Sequence, residues 1–477
     1  MARLLSRRSF VHCKLLVFIV TAGCVLHTCC QHASAQVGGV YIDAGGVLRQ
    51  TGSLAPDARL RLLRAASGDP PSTPALGIGS KLRMISLRRL QRTVSALHAK
   101  KEPLPAGVRY LAGLNRVQYL FFYPEENDVV IAGPAEGWKQ LPTGEVVGTR
   151  SNRPVLHLDD FIAALRHSFA QTAESSFIGC SIEPNPQGLQ DYAAYMQKLG
   201  NHIDRSRLRQ IFAGMEVSMG PQDVKLYGID PSSPFALKMV AADYRLKRIA
   251  LGHDASPVRK VTNYMDLAAK RRIPRRQQKI RWWFVGEFDA IYHTPDELAF
   301  QLEGQGVKVA TARLFAKTDA NSTKVRKSNL SARQFANSFT KYFRTIAARV
   351  PVFAELQNLI GLSVATELIA QKSRRSNEDT TGFDDTETVA RHWTPTTFLD
   401  GAACPIEELN VPSHVPSLAN YRFVRGRQWL ITVSGGVEIN PRTLAGRKFR
   451  KPAPKRKLAN ARAEHQAPAD STRWWWD

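Results

Sequence analysis

Residues Pro221–Gly252, PQDVKLYGIDPSSPFALKMVAADYRLKRIALG, decide the fold class. Val224, Leu226 and Ile229 give a short β-rich run. Asp230-Pro231-Ser232-Ser233-Pro234 then predicts a helix start, with Ser233 as N-cap and Pro234 at the first helical position. Leu237, Val240, Ala241 and Tyr244 recur at helical spacing, and Lys238, Arg245, Lys247 and Arg248 fall on the other faces. A strand, a turn and a helix follow one another, so helices and strands are mixed along the chain.

Outward from that unit the same two periods alternate. Val37–Leu48 predicts a hairpin, Arg116–Ala132 a second, and Leu141–Gly148 a third. Met84–His98 predicts a basic amphipathic helix, and Leu158, Phe161, Ile162, Leu165 and Phe169 predict another. Phe177–Ile182 reads as a buried strand. In IRWWFVGEFDAIYH, Ile280, Trp282, Phe284 and Phe288 share one strand face, with Arg281, Glu287 and Asp289 on the other. Phe335, Phe339, Tyr342 and Ile346 make a helical stripe, and Pro351 opens a second helix, so Ser331–Lys372 predicts a helical hairpin. Ser373–Thr388 is polar and reads as a loop; Trp429–Ile439 returns to strand. The expected class is α+β: antiparallel hairpins and strand–helix units, with a helical hairpin before the last strands.

The 477 residues divide into a signal peptide at 1–35, an α+β core at 36–310, a helical hairpin region at 311–375, a loop with strands at 376–446 and a tail at 447–477. Arg3, Arg7, Arg8 and Lys14 precede the apolar run Leu15–Leu26, and Ala33-Ser34-Ala35 fits a small-x-small cleavage site. Export with Gln36 as the first mature residue follows. Ser6–Val11 also resembles a twin-arginine signal, so the route stays open. No later stretch reads as long and apolar enough to span a bilayer. RKFRKPAPKRK, from Arg447, builds no core of its own and reads as a disordered basic tail.

Four of the six cysteines leave with the signal; Cys180 and Cys404 remain. In an oxidising compartment they form one long-range disulfide or stay as two separate buried thiols.

The phrases RYLAGLNRVQYLF (Arg109–Phe121), IAGPAEGW (Ile131–Trp138), RPVLHLDD (Arg153–Asp160), ADYRLK (Ala242–Lys247), RWWF (Arg281–Phe284) and GQGVK (Gly304–Lys308) resemble a domain-of-unknown-function family of exported planctomycete bacterial proteins. The resemblance runs from about Val37 to about Asn440. It implies an envelope or extracellular protein, with no reaction and no site to carry over.

No nucleophile elbow, phosphate loop, H-E-x-x-H or dinucleotide fingerprint occurs, so no cofactor and no metal is expected. His157 and His167 read as surface or helix-edge residues, and Asp159 and Asp160 as helix caps. Asp243 and Lys247 read as an i, i+4 ion pair. The net charge of +25 favours anionic partners, and export argues against nucleic acid. Lys270, Arg271, Arg272, Arg275, Arg276, Lys279 and Arg281 place seven positive charges in twelve residues without one acid, next to Trp283. That pattern suits an acidic polysaccharide or other envelope polymer, or simply a solvated connector. The expected function is a non-enzymatic, envelope-associated or polyanion-binding protein. The competing reading is an extracytoplasmic hydrolase, which requires the fold to unite Glu183, Asp204 and Asp243.

Overall fold

The computed structural model describes residues 40–42, 48–50, 74–141, 144–170, 177–200, 205–271, 279–311, 330–379, 393–424, 427–454, 457–465, 467 and 473–477. The expected signal peptide, Asp204, Arg272, Arg275 and Arg276 lie outside them.

The fold is α+β, as its periodicities predict. Strands β1 (Val40–Ile42) and β2 (Leu48–Gln50) pair antiparallel. Next come β3 (Ser80–Ser86) and α1 (Leu87–Ala99). Here the helix expected from Met84 begins three residues later. Met84 and Ile85 belong to the strand, and the Ser86 hydroxyl caps the helix by accepting from the Arg89 amide. Strands β4 (Tyr119–Tyr123) and β5 (Asp128–Ala135) pair antiparallel, as do β6 (Trp138–Gln140) and β7 (Val146–Gly148). Then follow α2 (Leu158–Ala170), β8 (Ile178–Pro184), α3 (Pro186–Leu199), α4 (Leu208–Met219), β9 (Gln222–Tyr227) and α5 (Pro234–Leu251).

The stretch quoted first behaves as its sequence dictates. The Ser233 hydroxyl accepts from the Ala236 amide, Pro234 is the first helical residue, and Gly252 closes the helix in the left-handed region at φ 76°. Lys238 and Lys247 differ from expectation. Both lie inside the packing of α5 rather than on a solvated face, each against a carboxylate.

After α6 (Tyr264–Ala269) come β10 (Lys279–Glu287), β11 (Ala290–His293), β12 (Ala299–Glu303) and β13 (Gly306–Thr311). The region expected as a helical hairpin contains three helices, α7 (Leu330–Lys341), α8 (Phe343–Ala347) and α9 (Pro351–Asp379). Thus α9 continues through part of the expected polar loop. Its span Pro351–Arg374 is long and apolar enough, by length and composition alone, to cross a membrane. This corrects the expectation that no such stretch follows the signal. The helix is buried in the fold, where Phe353 meets the rings of Phe284, Phe339 and Phe343.

The last elements are β14 (His414–Val415), β15 (Ala419–Val424), β16 (Arg427–Ile439), β17 (Arg450–Pro452), α10 (Lys457–Glu464) and β18 (Trp475–Trp476). Two seven-stranded sheets result. The first runs β13-β10-β16-β8-β9-β14, with β15 on the other half of β16; the second runs β17-β11-β12-β4-β5-β3-β18. In both, one pairing is parallel, β10 with β16 and β11 with β17. The segments drawn in the sequence are therefore not spatial units, since β16 sits between β10 and β8, and one core cluster runs from Leu76 to Trp475.

The expected disordered tail is corrected most strongly. Residues 450–452 and 475–476 close the two edges of the second sheet. Leu458 and Trp476 join Met84, Phe121 and Tyr123 in a separate apolar cluster. Asp477 forms an ion pair with the buried Arg83 at 2.7 Å. A segment too polar to build a core still completes one when its few aromatics land on an open strand edge.

Candidate anion-binding face

Strand alternation gives the first sheet two unlike faces. On β10, Ile280, Trp282 and Phe284 point inward; the Trp282 ring meets Tyr264 and Phe335, and its Nε1 donates to the Ala332 carbonyl at 3.2 Å. Arg281, Trp283 and Val285 point to the other side and are half-buried. Register places Arg281 opposite Ser434, and Glu183 opposite Asp223, which is opposite His414. These form one polar row across the sheet. The Arg281 guanidinium donates to Glu183 at 2.7 Å and lies 5.5 Å from the Trp283 ring. One row further lie Trp283, Gly436, Ser181 and the exposed Lys225. Next come Lys308, ion-paired with Glu287 at 2.8 Å, and the exposed Tyr227. The result is a sheet surface with aromatic rings and small residues on which the cations alternate with the carboxylates of Glu183, Asp223, Glu287 and Glu438.

Of the expected basic run, Lys270 and Arg271 are exposed at the end of α6, and the Lys279 backbone opens β10. Arg281 is partly neutralised by Glu183, a pairing that the sequence did not announce because 98 positions separate the two.

Behind this face lies a sealed charge. Asp243 and Lys247 are both 0% exposed. The Lys247 ammonium donates to Asp243 Oδ2 at 2.5 Å, to the Gly435 carbonyl at 3.2 Å and to the Ile182 carbonyl at 3.4 Å. Its three protons thus meet three acceptors, two of them on the strands β16 and β8. Burial lifts the Asp243 carboxyl above its ordinary range, and the Lys247 ammonium pulls it back. The strands come this close because Gly435 and Gly436 carry no side chain. A Cβ at Gly435 would lie 1.7 Å from the Trp282 carbonyl, and φ there is +131°.

The carboxylates considered for hydrolysis are therefore employed separately, with Glu183 on Arg281 and Asp243 under the sheet on Lys247. Asp160 is not a cap either; it is buried and forms an ion pair with Lys238, joining α2 to α5. Asp159 is half-buried, and burial together with Asp160 and Glu407 raises its carboxyl to about 6. His167 is likewise buried rather than superficial, bonded through Nδ1 to the Gly228 carbonyl at 2.5 Å. Burial holds the His157 imidazole well below its usual range. Cys180 and Cys404 are buried and unbridged, which corrects the disulfide alternative. Burial pushes both thiols up, Cys404 to about 11, so neither is a ready nucleophile.

A family model described as a protein of unknown function, DUF1598, matches residues 180–264, from within β8 to the start of α6. No curated protein and no solved structure matches the chain. The match bears out the expected resemblance to a domain of unknown function over that segment.

Proposed function

We propose that this is an exported, non-enzymatic protein that binds an acidic polysaccharide or another envelope polyanion along the outer face of the first sheet. The observation that carries the reading is the Arg281–Trp283 stack on the outer side of β10, with the exposed Lys270 and Arg271 preceding it in sequence at the end of α6. An aromatic face beside cations suits a sugar ring bearing acidic groups, and the net charge of +25 supplies long-range attraction. Export rests on the basic start, the apolar run Leu15–Leu26 and the Ala35 boundary.

Heparin tests the binding, with affinity measured between about 50 and 200 mM salt, where charge-driven binding falls steeply. Replacing Lys270, Arg271, Arg272, Arg275 and Arg276 with Gln is expected to weaken affinity and flatten the salt dependence. Trp283→Ala is expected to weaken affinity while leaving the salt slope unchanged. A five-site variant with the affinity and slope of the parent overturns the proposal and makes the run a solvated connector.

A further inference from the structure

A cleft of about 830 Å³ opens at the strand ends of β3, β4 and β5 in the second sheet, remote in sequence from the basic run. The beginning of β3 supplies Lys81, the segment before β4 supplies Arg116 and Gln118, and the loop after β7 supplies Arg150 and Arg153. Its volume lies in the ordinary range for small-molecule sites.

The cations here are crowded and poorly compensated. Burial lowers the basicity of Arg116 and Arg153; Arg344 on α8 lowers both further, and Arg116 adds to the effect on Arg153. Glu303 is the carboxylate that offsets Arg116. Among the described residues, the Arg116 guanidinium has neither a hydrogen-bond acceptor nor a carboxylate within ion-pair distance. The other acid of the cleft, Glu136, is committed to its own wall. It is buried and accepts from the Arg150 and Ser151 amides at 2.8 and 3.2 Å, and from the Ser151 hydroxyl.

The arrangement is also fixed in place. Arg153 Nη2 donates to Gln357 Oε1 at 2.6 Å, and Gln357 donates in turn to the Gln305 carbonyl at 2.6 Å. At Gly133 an added Cβ would lie 2.2 Å from the Arg116 carbonyl, so the absence of a side chain there lets the Arg116 backbone approach β5. Guanidiniums held together against their mutual repulsion, that of Arg116 without an acceptor and that of Arg153 with one nitrogen bonded to Gln357 and the rest of its fork left over, match an oxyanion that takes several donors at once. A single carboxylate brings one charge; a phosphate or sulfate brings more oxygens in a tetrahedral array.

We propose that this cleft binds a phosphate or sulfate group carried on a small molecule, gripped by Arg116 and Arg153 with Arg344 adding positive charge beside them. The site is separate from the polymer-binding face and does not depend on it.

Calorimetric titration of the full chain with sodium phosphate, sodium sulfate and sodium acetate, at constant ionic strength, tests the proposal. Saturable one-to-one binding of phosphate or sulfate is expected, about tenfold tighter than acetate; the tighter of the two identifies the ester class. Arg116→Gln is expected to weaken that binding about tenfold, equivalent to about 1.4 kcal/mol, and Arg116→Lys to restore part of it. Trp283→Ala leaves it unchanged. Without anion, Arg116→Gln should melt no lower than the parent, because a like-charge contact is removed. If Arg116→Gln does not fold, Arg153→Gln, which also lines the cleft, carries the same expectation. Absence of saturation by phosphate and sulfate, equal affinity for acetate, or unchanged affinity in the folded variant overturns the proposal.

Discussion

In the first sheet the late strand β16 enters the middle, between β10 and β8, whereas in the second sheet the late strands β17 and β18 take the two edges. The middle position demands fit on both sides at once. It is met by glycines that let backbones approach and by one ammonium reading carbonyls from both β8 and β16. An edge position demands pairing on one side only, and it is met by aromatic burial over Met84 and Ile85. Register at the centre therefore depends on backbone and buried charge, while closure of the edges depends on side-chain burial.

The difference predicts graded and distinguishable failures. Gly435→Ala attacks the centre where a Cβ would meet the Trp282 carbonyl and where φ is +131°. Overpacking and a disfavoured backbone together are expected to destabilise by about 4 kcal/mol or more. Chemical denaturation measures the loss, and a variant within about 1 kcal/mol of the parent would show that the centre is not tightly specified.

Lys247→Ala comes next. It strands a buried carboxylate and two carbonyls, at a cost of about 3–5 kcal/mol. The double variant Asp243→Leu/Lys247→Met, which removes both charges, is expected to regain most of that stability. Equal loss in the single and double variants would mean that packing, not charge, sets this site.

Trp476→Ala is the mildest of the three, costing about 3 kcal/mol, the low end for a buried tryptophan because the site is an edge. Its effect should be local: hydrogen exchange accelerates in β3 while β10 and β16 remain protected. Uniform acceleration across both sheets would erase the distinction between centre and edge.

Much of the centre was legible in the sequence. Ser233-Pro234 and Gly252 bracket α5, and alternation on β10 assigns Trp282 inward and Arg281 outward. The charges were misread because helical spacing alone assigns lysine to water. Lys238 and Lys247 are buried because Asp160 and the Gly435 carbonyl meet them, and only the fold brings those partners near. The edges were not legible, since β17 and β18 are too short to show a period. The signal that was available is the run Trp474-Trp475-Trp476, because so much aromatic surface is seldom left in water. The arginine cleft had no local signal at all: Lys81, Arg116, Arg150 and Arg153 come from separate segments of the chain and meet only in three dimensions.

The pairing of β3 with β18 also sets a clock on folding. Arg83 and Asp477 lie 394 positions apart, so during synthesis at about 5–20 residues per second the partner strand appears about 20–80 seconds after β3 does. Through that interval the edge carrying Met84 and Ile85 is an unpaired apolar template, open to the edge of any neighbouring nascent chain. Closure of this edge therefore waits on the last residues of the chain, whichever side of a membrane it folds on.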